Sequence, residues 1–592
     1  MCGIFAYYGP KTNAGKILVQ GLKSLEYRGY DSWGIACKND SDIAIYKRTG
    51  KIGDITSLPK EICGQTTIAI GHSRWATHGG VTRENAHPHS TEDNEVVLIH
   101  NGIFENYLEV KKQLIKREHK FKSETDTEVI AHLIQENLDK EGLEESVRKA
   151  ILKIEGRYAI VVICKKENKI IAARRGSPLI VGVGKNKEFY IASDIPAFLK
   201  YTNKVMYLDN NQMVVLSDAK AKFYELTNKK EIKKRIVEIT WNPESAEKGE
   251  YSHFMIKEIM EQKETLYRVL NQDDKIIKRA AGMINKAVGT YFIGCGTAGK
   301  VCLTGEYIFS EIAHKHINST FGSEFPAHHH FITNKTLIVG VSQSGETADT
   351  LEAIEIAKEK KAKVLSIVNV ETSSMAQMSN MVVPTKCGPE KAVASTKVTT
   401  AQLGVITLLA YACAGRLNDG KTLLLETAGK INDMLNPRYE EHISKLAQKL
   451  QNFESMYIIG RGSNYPMALE SAIKLQEVSY IHAEGFAGGE LKHGPIALIQ
   501  KGTPCIVLCA NDENKKAILS NAMEVKARGG YIIGVSPINE DVFDYWIRVP
   551  DVSTASPIVN IIPVQILAYK LALLRKNNPD MPRNLAKSVT VK

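Results

Sequence analysis

Tyr291-Phe-Ile-Gly-Cys-Gly-Thr297 returns 166 residues later as Tyr457-Ile-Ile-Gly-Arg-Gly-Ser463. Each copy is an apolar run that suits a buried strand, stopped by a Gly-x-Gly turn with a hydroxyl behind it. Two further pairs keep nearly the same spacing: Leu337–Ser342 with Cys505–Ala510 at 168, and Val364–Val368 with Tyr531–Val535 at 167. Three matches at almost one offset predict two copies of one domain, each of about 140 residues. From about Tyr251 onward, long helical stretches alternate with single apolar strands, the pattern of parallel βαβ units. The copies differ where chemistry would sit. Ser342-Gln-Ser-Gly-Glu-Thr347 follows the strand of the first copy, whereas Ala510-Asn-Asp-Glu-Asn-Lys515 follows that of the second.

Upstream, residues 1 to about 225 read as short alternating strands broken by Gly, Asn and Asp, with helices at Ala14–Leu25 and Thr127–Leu138. Ile17, Leu18, Gly21, Leu22 and Leu25 share one face of the first helix. The pattern predicts a layered α/β domain rather than a doubly wound one. Residues 226–250 are rich in Lys and Glu and end in Asn242-Pro243-Glu244-Ser245, which reads as a linker. The expected division is a first domain at 1–225, a linker at 226–250, repeat domains at 251–430 and 431–582, and a tail at 583–592.

Composition is that of an ordinary globular chain: 592 residues, 43% apolar, 24% charged, formal charge +11. The basic run Lys229–Arg235 reads as a solvated edge, and the modest positive balance suits an anionic small substrate better than nucleic acid. The apolar stretch Gly404–Cys413 is too short to span a membrane, and no secretory signal pattern opens the chain. Ten scattered cysteines, without CxxC pairs or zinc-type spacing, imply reduced thiols in the cytoplasm and no metal site.

The Ser342–Thr347 loop joins the apolar strand Thr336–Val341 to a helix with Leu351, Ile354 and Ala357 on its inner face. Amides at a helix start, backed by the positive end of its dipole, form an anion site. Three hydroxyls and a glycine suit a phosphate monoester, and the lysine of a nucleotide-binding P-loop is missing. The alternative is a Ser/Thr-capped helix with no ligand.

That loop, with Val393–Gln402 (VASTKVTTAQ), Gly489–Pro495 (GELKHGP) and Pro582–Val591 (PRNLAKSVTV), resembles the sugar-phosphate isomerase (SIS) half of the glutamine–fructose-6-phosphate aminotransferase family. CGIF at Cys2, Leu25–Gly34 (LEYRGYDSWG), Gly71–Gly79 (GHSRWATHG), His100–Asn106 (HNGIFEN) and Ser123–Glu128 (SETDTE) resemble its glutaminase half. The likeness runs over nearly the whole chain in the family's order. It implies an N-terminal-nucleophile glutaminase with αββα layers, then two tandem SIS-type parallel-sheet αβα domains. It also implies glutamine and fructose 6-phosphate as substrates, no cofactor, a homodimer, and glucosamine 6-phosphate as product.

Removal of Met1 would place a thiol and a free α-amine together on Cys2. An α-amine titrates near ~7.7, so at neutral pH it can take the thiol proton without a histidine. The resemblance makes this cysteine the nucleophile on the glutamine amide, and makes Asn101 and Gly102 the oxyanion donors. Read alone, Asn101-Gly102 is equally a plain turn. Arg74 and Asp126 match the family's partners for the glutamine carboxylate and ammonium. Trp75, Thr77 and His78 match its closing loop.

In the sugar half, the resemblance gives Lys587 the Schiff-base role at C2 of the ketose. Most lysines so near a C-terminus are solvated, but Leu585, Ala586, Val589 and Val591 suit burial. Lys474 and Glu477 lie i,i+3 on the helix Ala468–Ser479, where the plain reading is a surface ion pair. By resemblance Glu477 moves the proton between C1 and C2. His493 matches the ring-opening histidine, which the family takes from the neighbouring subunit. Thr297, Ser342, Gln343, Ser344, Thr347, Val393, Ser395 and Lys474 match its sugar-phosphate contacts. Ala298 stands where the family commonly has serine, so one hydroxyl contact is missing. The linker insertion of animal members is also absent, so feedback by a nucleotide sugar is not implied. Two rival readings remain: an amidotransferase with another acceptor, whose pyrophosphate-binding or SGGxDS motif is not found, and a sugar-phosphate sensor, which would not need Cys2, Glu477 or Lys587.

Overall fold

The computed structural model describes residues 2–39, 42–55, 57–75, 79–239 and 248–589. The chain forms two compact units, one of Met1–Ser245 with Ala586–Lys592 and one of Ala246–Leu585.

In the first unit, β1 (Gly3–Tyr8), α1 (Ala14–Ser24), β2 (Ile68–Arg74), β3 (Val96–Gly102), α2 (Asp126–Leu152) and β4 (Tyr158–Cys164) frame the site. An eight-stranded antiparallel sheet holds β1 between Phe189–Ala192 and β2. A seven-stranded antiparallel sheet holds β3 beside β4. Ile4, Ala6 and Ile70 of one sheet meet Val97, Ile99 and Val161 of the other in a shared core. The outer face of the first sheet packs on α1 through Phe5, Leu18 and Leu22. The outer face of the second packs on α2 through Leu98, Ile130 and Ile134. These three cores separate four layers, αββα, as strands with two buried faces require.

The expected helix Thr127–Leu138 is found: it begins at Asp126 and stops at Gly142, where φ is 72° and ψ 171°, and a second helix continues from there to Leu152. The stretch taken as a linker begins late: Glu231–Ile232 and Val237–Glu238 add edge strands to the two sheets. Two-residue strands rich in charge carry no alternation that a sequence would show. Within the basic run, Lys229 pairs with Glu145 and Lys234 with Asp209, consistent with a solvated edge.

The second unit contains two parallel sheets of the same topology. The first uses β5 (Gly289–Gly294), α3 (Gly296–Ala313), β6 (Asn318–Phe321), β7 (Thr336–Ser342), α4 (Ala348–Glu359), β8 (Lys363–Val368), β9 (Met381–Pro384) and α5 (Lys397–Cys413). Its strand order is β6-β5-β7-β8-β9. The second uses β10 (Ser455–Gly460), α6 (Asn464–Ser479), β11 (His482–Ala487), β12 (Pro504–Leu508), β13 (Tyr531–Ser536), β14 (Tyr545–Arg548) and α7 (Ser556–Leu574). Its order, β11-β10-β12-β13-β14, is the same. Register corrects the sequence alignment of the copies by one residue. Ile338 lies opposite Tyr291 and Cys505 opposite Tyr457, so Ile338, not Leu337, is the counterpart of Cys505. Likewise Val364 opposite Ile338 and Ile532 opposite Cys505 make Val364 the counterpart of Ile532.

Helices α5 and α7 lie at the centre of one core shared by the two copies. The apolar segment Ser553–Leu574 is longer than the Gly404–Cys413 stretch singled out above, and its most apolar 18 residues, of mean hydropathy 1.7, are 83% buried inside the fold. Within it Asn560 donates to Asn464 at 2.8 Å, and Gln565 accepts from Gln262 at 2.9 Å.

Candidate active sites

Cys2 sits where β1 begins. Trp75, one residue beyond the end of β2, donates its N–H to Cys2 Sγ at 3.3 Å, and the thiol lies 3.4 Å from the Trp75 carbonyl. Asn101 Nδ2, from β3, donates to the Cys2 carbonyl at 3.0 Å, joined by Arg28 Nε at 3.4 Å. Burial pushes the Cys2 thiol up, opposed by the Trp75 N–H and the charge of Arg74. A thiol so placed needs a base to ionise. Met1, on which the α-amine argument turns, lies outside the described residues, as do Thr77 and His78.

Asn101 and Gly102 are the last residues of β3, not a free turn after it. Gly102 has φ 136°, and a Cβ there would stand 1.9 Å from the Arg157 carbonyl oxygen. Only glycine fits so close to a neighbouring backbone. Arg74 is buried and donates to the carbonyls of Gly80 and Gly79 at 3.0 and 3.1 Å. Asp126, also buried, opens α2 and accepts the Phe104 N–H at 2.8 Å.

His72 was not singled out by sequence, although it stands in the GHSRWATHG stretch. Its Nε2 lies 2.9 Å from Asn101 Oδ1 and 3.1 Å from the His100 carbonyl. Both neighbours are acceptors, so Nε2 carries the proton. Burial lowers this histidine to about 3, so it is neutral at physiological pH. His87 stacks on it with centroids 4.0 Å apart, and His89 lies edge-on to His87 at 4.7 Å.

In the second unit, the loops after β5 and β7 flank the point where strand order reverses, the usual ligand crevice of such sheets. Thr297, at the start of α3, donates its hydroxyl to Glu470 at 3.0 Å and accepts from Lys474 Nζ at 3.3 Å. Lys474 also lies 2.6 Å from Glu477 and 3.4 Å from Glu470. Glu470 and Lys474 are fully buried, while the Glu477 side chain keeps 23% exposure. The pair expected on a helix surface is therefore the buried face of α6. Burial opposes the Lys474 charge, but the two carboxylates outweigh it and raise its pKa. Burial raises Glu470, so the carboxylate paired with this ammonium is chiefly Glu477. Glu470 escaped the sequence reading. Its spacing of four and seven residues from Lys474 and Glu477 was the available signal.

The Ser342–Thr347 loop is folded tightly on itself. Ser342, the last residue of β7, accepts the Gly345 N–H at 2.9 Å, and Ser344 accepts that of Glu346 at 3.2 Å. Gly345 has φ 66°, and a Cβ there would meet Ser373 Oγ at 2.0 Å. The Gln343 carbonyl accepts the Asn369 N–H at 3.3 Å, and Thr347 caps α4 without using its hydroxyl. Val393 donates its N–H to the Asp580 carbonyl at 3.0 Å, and Ser395 donates to Glu390 at 3.1 Å.

His493 is exposed on its turn, Glu490–His493. Lys587 is half-buried and belongs to the first unit, while Thr297, Lys474 and Glu477 belong to the second. Leu585 and Ala586 are half-buried as well, but Val589 is 42% exposed, contrary to expectation, and Val591 lies outside the described residues.

Residues 58–239 match the glutamine amidotransferase domain, and residues 283–412 and 449–575 each match the SIS domain. Fold and sites thus define an amidotransferase joined to a pair of SIS domains. Glutamine–fructose-6-phosphate aminotransferases (isomerizing) from Thermococcus kodakarensis and Pyrococcus horikoshii are each 41% identical to this chain, with both chains covered completely. The C-terminal domain of glucosamine-fructose-6-phosphate aminotransferase from Francisella tularensis superposes with TM-score 0.53 at 32% identity, covering 57% of this chain and 100% of that one. The chain belongs to the glutamine–fructose-6-phosphate aminotransferase family.

Proposed function

We propose that this chain makes glucosamine 6-phosphate from fructose 6-phosphate and glutamine, and that the residues above divide the work as follows. The α-amine freed by loss of Met1 takes the Cys2 proton, and Sγ adds to the glutamine amide carbon. Asn101 Nδ2 and the Gly102 N–H stabilise the oxyanion, each donor worth about 3 kcal/mol. The α-ammonium returns that proton to the departing nitrogen, so collapse expels ammonia and leaves a glutamyl thioester, which water hydrolyses to glutamate. Arg74 and Asp126 hold the two ends of the amino acid, and Trp75, Thr77 and His78 close over it. Ammonia passes internally, since in water at neutral pH it would be mostly protonated and no nucleophile.

At the second site the Ser342–Thr347 loop, with Thr297, Val393 and Ser395, holds the phosphorylated sugar. His493 opens its ring, and Lys587 forms an imine at C2 that ammonia displaces. Glu477 then takes a proton from C1 and returns it to C2, giving the amino aldose. The scheme uses no cofactor. The observation that carries this reading is the partly exposed Glu477 carboxylate beside the buried Lys474 ammonium, at the crevice where the sheet's strand order reverses. Lys474 lies 2.6 Å from Glu477, placing a positive charge beside the proposed base. The exposure of His493 supports a homodimer in which it serves the neighbouring subunit, and the free thiols of Cys37, Cys164 and Cys302 support a cytoplasmic enzyme.

Two measurements test the scheme. Borohydride added with fructose 6-phosphate should fix a hexose phosphate on the peptide carrying Lys587, and Cys2→Ser should abolish glutamate release from a folded protein. An adduct on another lysine, or glutamate release that survives Cys2→Ser, would overturn the corresponding half.

A further inference from the structure

At the opposite ends of the first parallel sheet from the Ser342–Thr347 loop lies a cavity of about 940 Å³. Its wall carries Arg279 and Lys286 from the helix Asp274–Lys286, Lys335 just before β7, and Lys363 at the start of β8. No carboxylate lines it, and among the described residues none of these four cationic groups is ion-paired or hydrogen-bonded. All four are exposed. Four like charges facing one concavity repel each other and attract an anion.

The spacing says more about that anion. Lys363 pairs in register with Leu337, so Lys335, two residues before Leu337, lies diagonally across from Lys363, roughly 8 Å away. Arg279 and Lys286 are seven residues apart on one helix face, about 10 Å along its axis. Charges spread over about 10 Å of one helix suit linked phosphates better than a single one. Met283 and exposed Val288, between the charges, offer an apolar surface to whatever carries them.

We propose that this cavity is a second anion site, distinct from the sugar-phosphate loop, that binds a small molecule bearing two or more linked phosphates. β7 spans seven residues, so the cavity and the loop at its far end are about 20 Å apart. A ligand here would not compete with the sugar.

The test is calorimetric titration of the full chain with pyrophosphate and with orthophosphate, in saturating fructose 6-phosphate, repeated on Lys335→Glu/Lys363→Glu and on Lys335→Met/Lys363→Met. The expected result is pyrophosphate binding at least tenfold tighter than orthophosphate. Both variants, with unchanged melting temperature in the absence of ligand, should weaken it at least tenfold. The same titration without sugar reports the sugar-phosphate loop separately, so failure of the substrate assignment is distinguishable from failure of this site. Equal binding by wild type and variants, or no pyrophosphate binding by the wild type below about 10 mM, overturns the proposal.

Discussion

Asn101 Oδ1 lies 2.9 Å from Nε2 of His72, and this contact decides which way the Asn101 amide faces. With its oxygen held by the His72 N–H, the amide turns Nδ2 toward Cys2, whose carbonyl it reaches at 3.0 Å. His72 is thus a positioning residue for the oxyanion donor. His72→Phe keeps the stack on His87 but frees the amide. The expected outcome is about a tenfold fall in kcat for glutamine hydrolysis, below the 10²–10³ of losing the donor itself, with KM within about twofold. Steady-state glutaminase kinetics check it. A rise in KM alone would mean that His72 acts on binding instead.

The buried histidines also set a pH limit. His72 is lowered to about 3 by burial, and burial lowers His87 and His89 well below their ordinary value. Below about pH 6.5 the unfolded chain takes protons that the native chain refuses, so stability falls as pH falls. Each histidine contributes up to about 1.4 kcal/mol per pH unit in that range. The urea midpoint of the first unit should therefore drop between pH 6.5 and 5, above the carboxylate range. His87→Phe should flatten the slope by about one proton.

Lys474 lies within 4 Å of two carboxylates, one of them fully buried. Lys474→Met should cost about 3–5 kcal/mol in the second unit, because Glu470 and Glu477 are left facing each other. Glu470→Gln added to Lys474→Met should recover part of that loss. Denaturant unfolding of the three proteins measures it.

Gly345→Ala puts a side chain at φ 66° and 2.0 Å from Ser373 Oγ. The loop must open to admit it, and its hydrogen bonds from Gly345 and Glu346 shift with it. KM for fructose 6-phosphate should rise more than tenfold while glutamine hydrolysis measured without sugar stays within about twofold.

The fold was legible because the Gly-x-Gly turns after Ile293 and Ile459 mark equivalent strands, and the βαβ rhythm between them is strong. Register was not, because β7 is buried along its whole length and so offers no alternation to fix it. The helix that follows the kink at Gly142 was not foreseen, because it starts in a run of charges. At the sites, Cys2 and Asn101 stand in short distinctive stretches. His72 and Glu470 do not announce themselves: a histidine inside a strand and a glutamate on a helix are ordinary until burial and neighbours are known.

The most direct measurement is the stoichiometry of products from glutamine and fructose 6-phosphate, with glutamate and glucosamine 6-phosphate quantified together. Near-equal amounts are the predicted result, since each ammonia released at Cys2 would be consumed at the sugar. Glutamate formed without amino sugar would contradict the account.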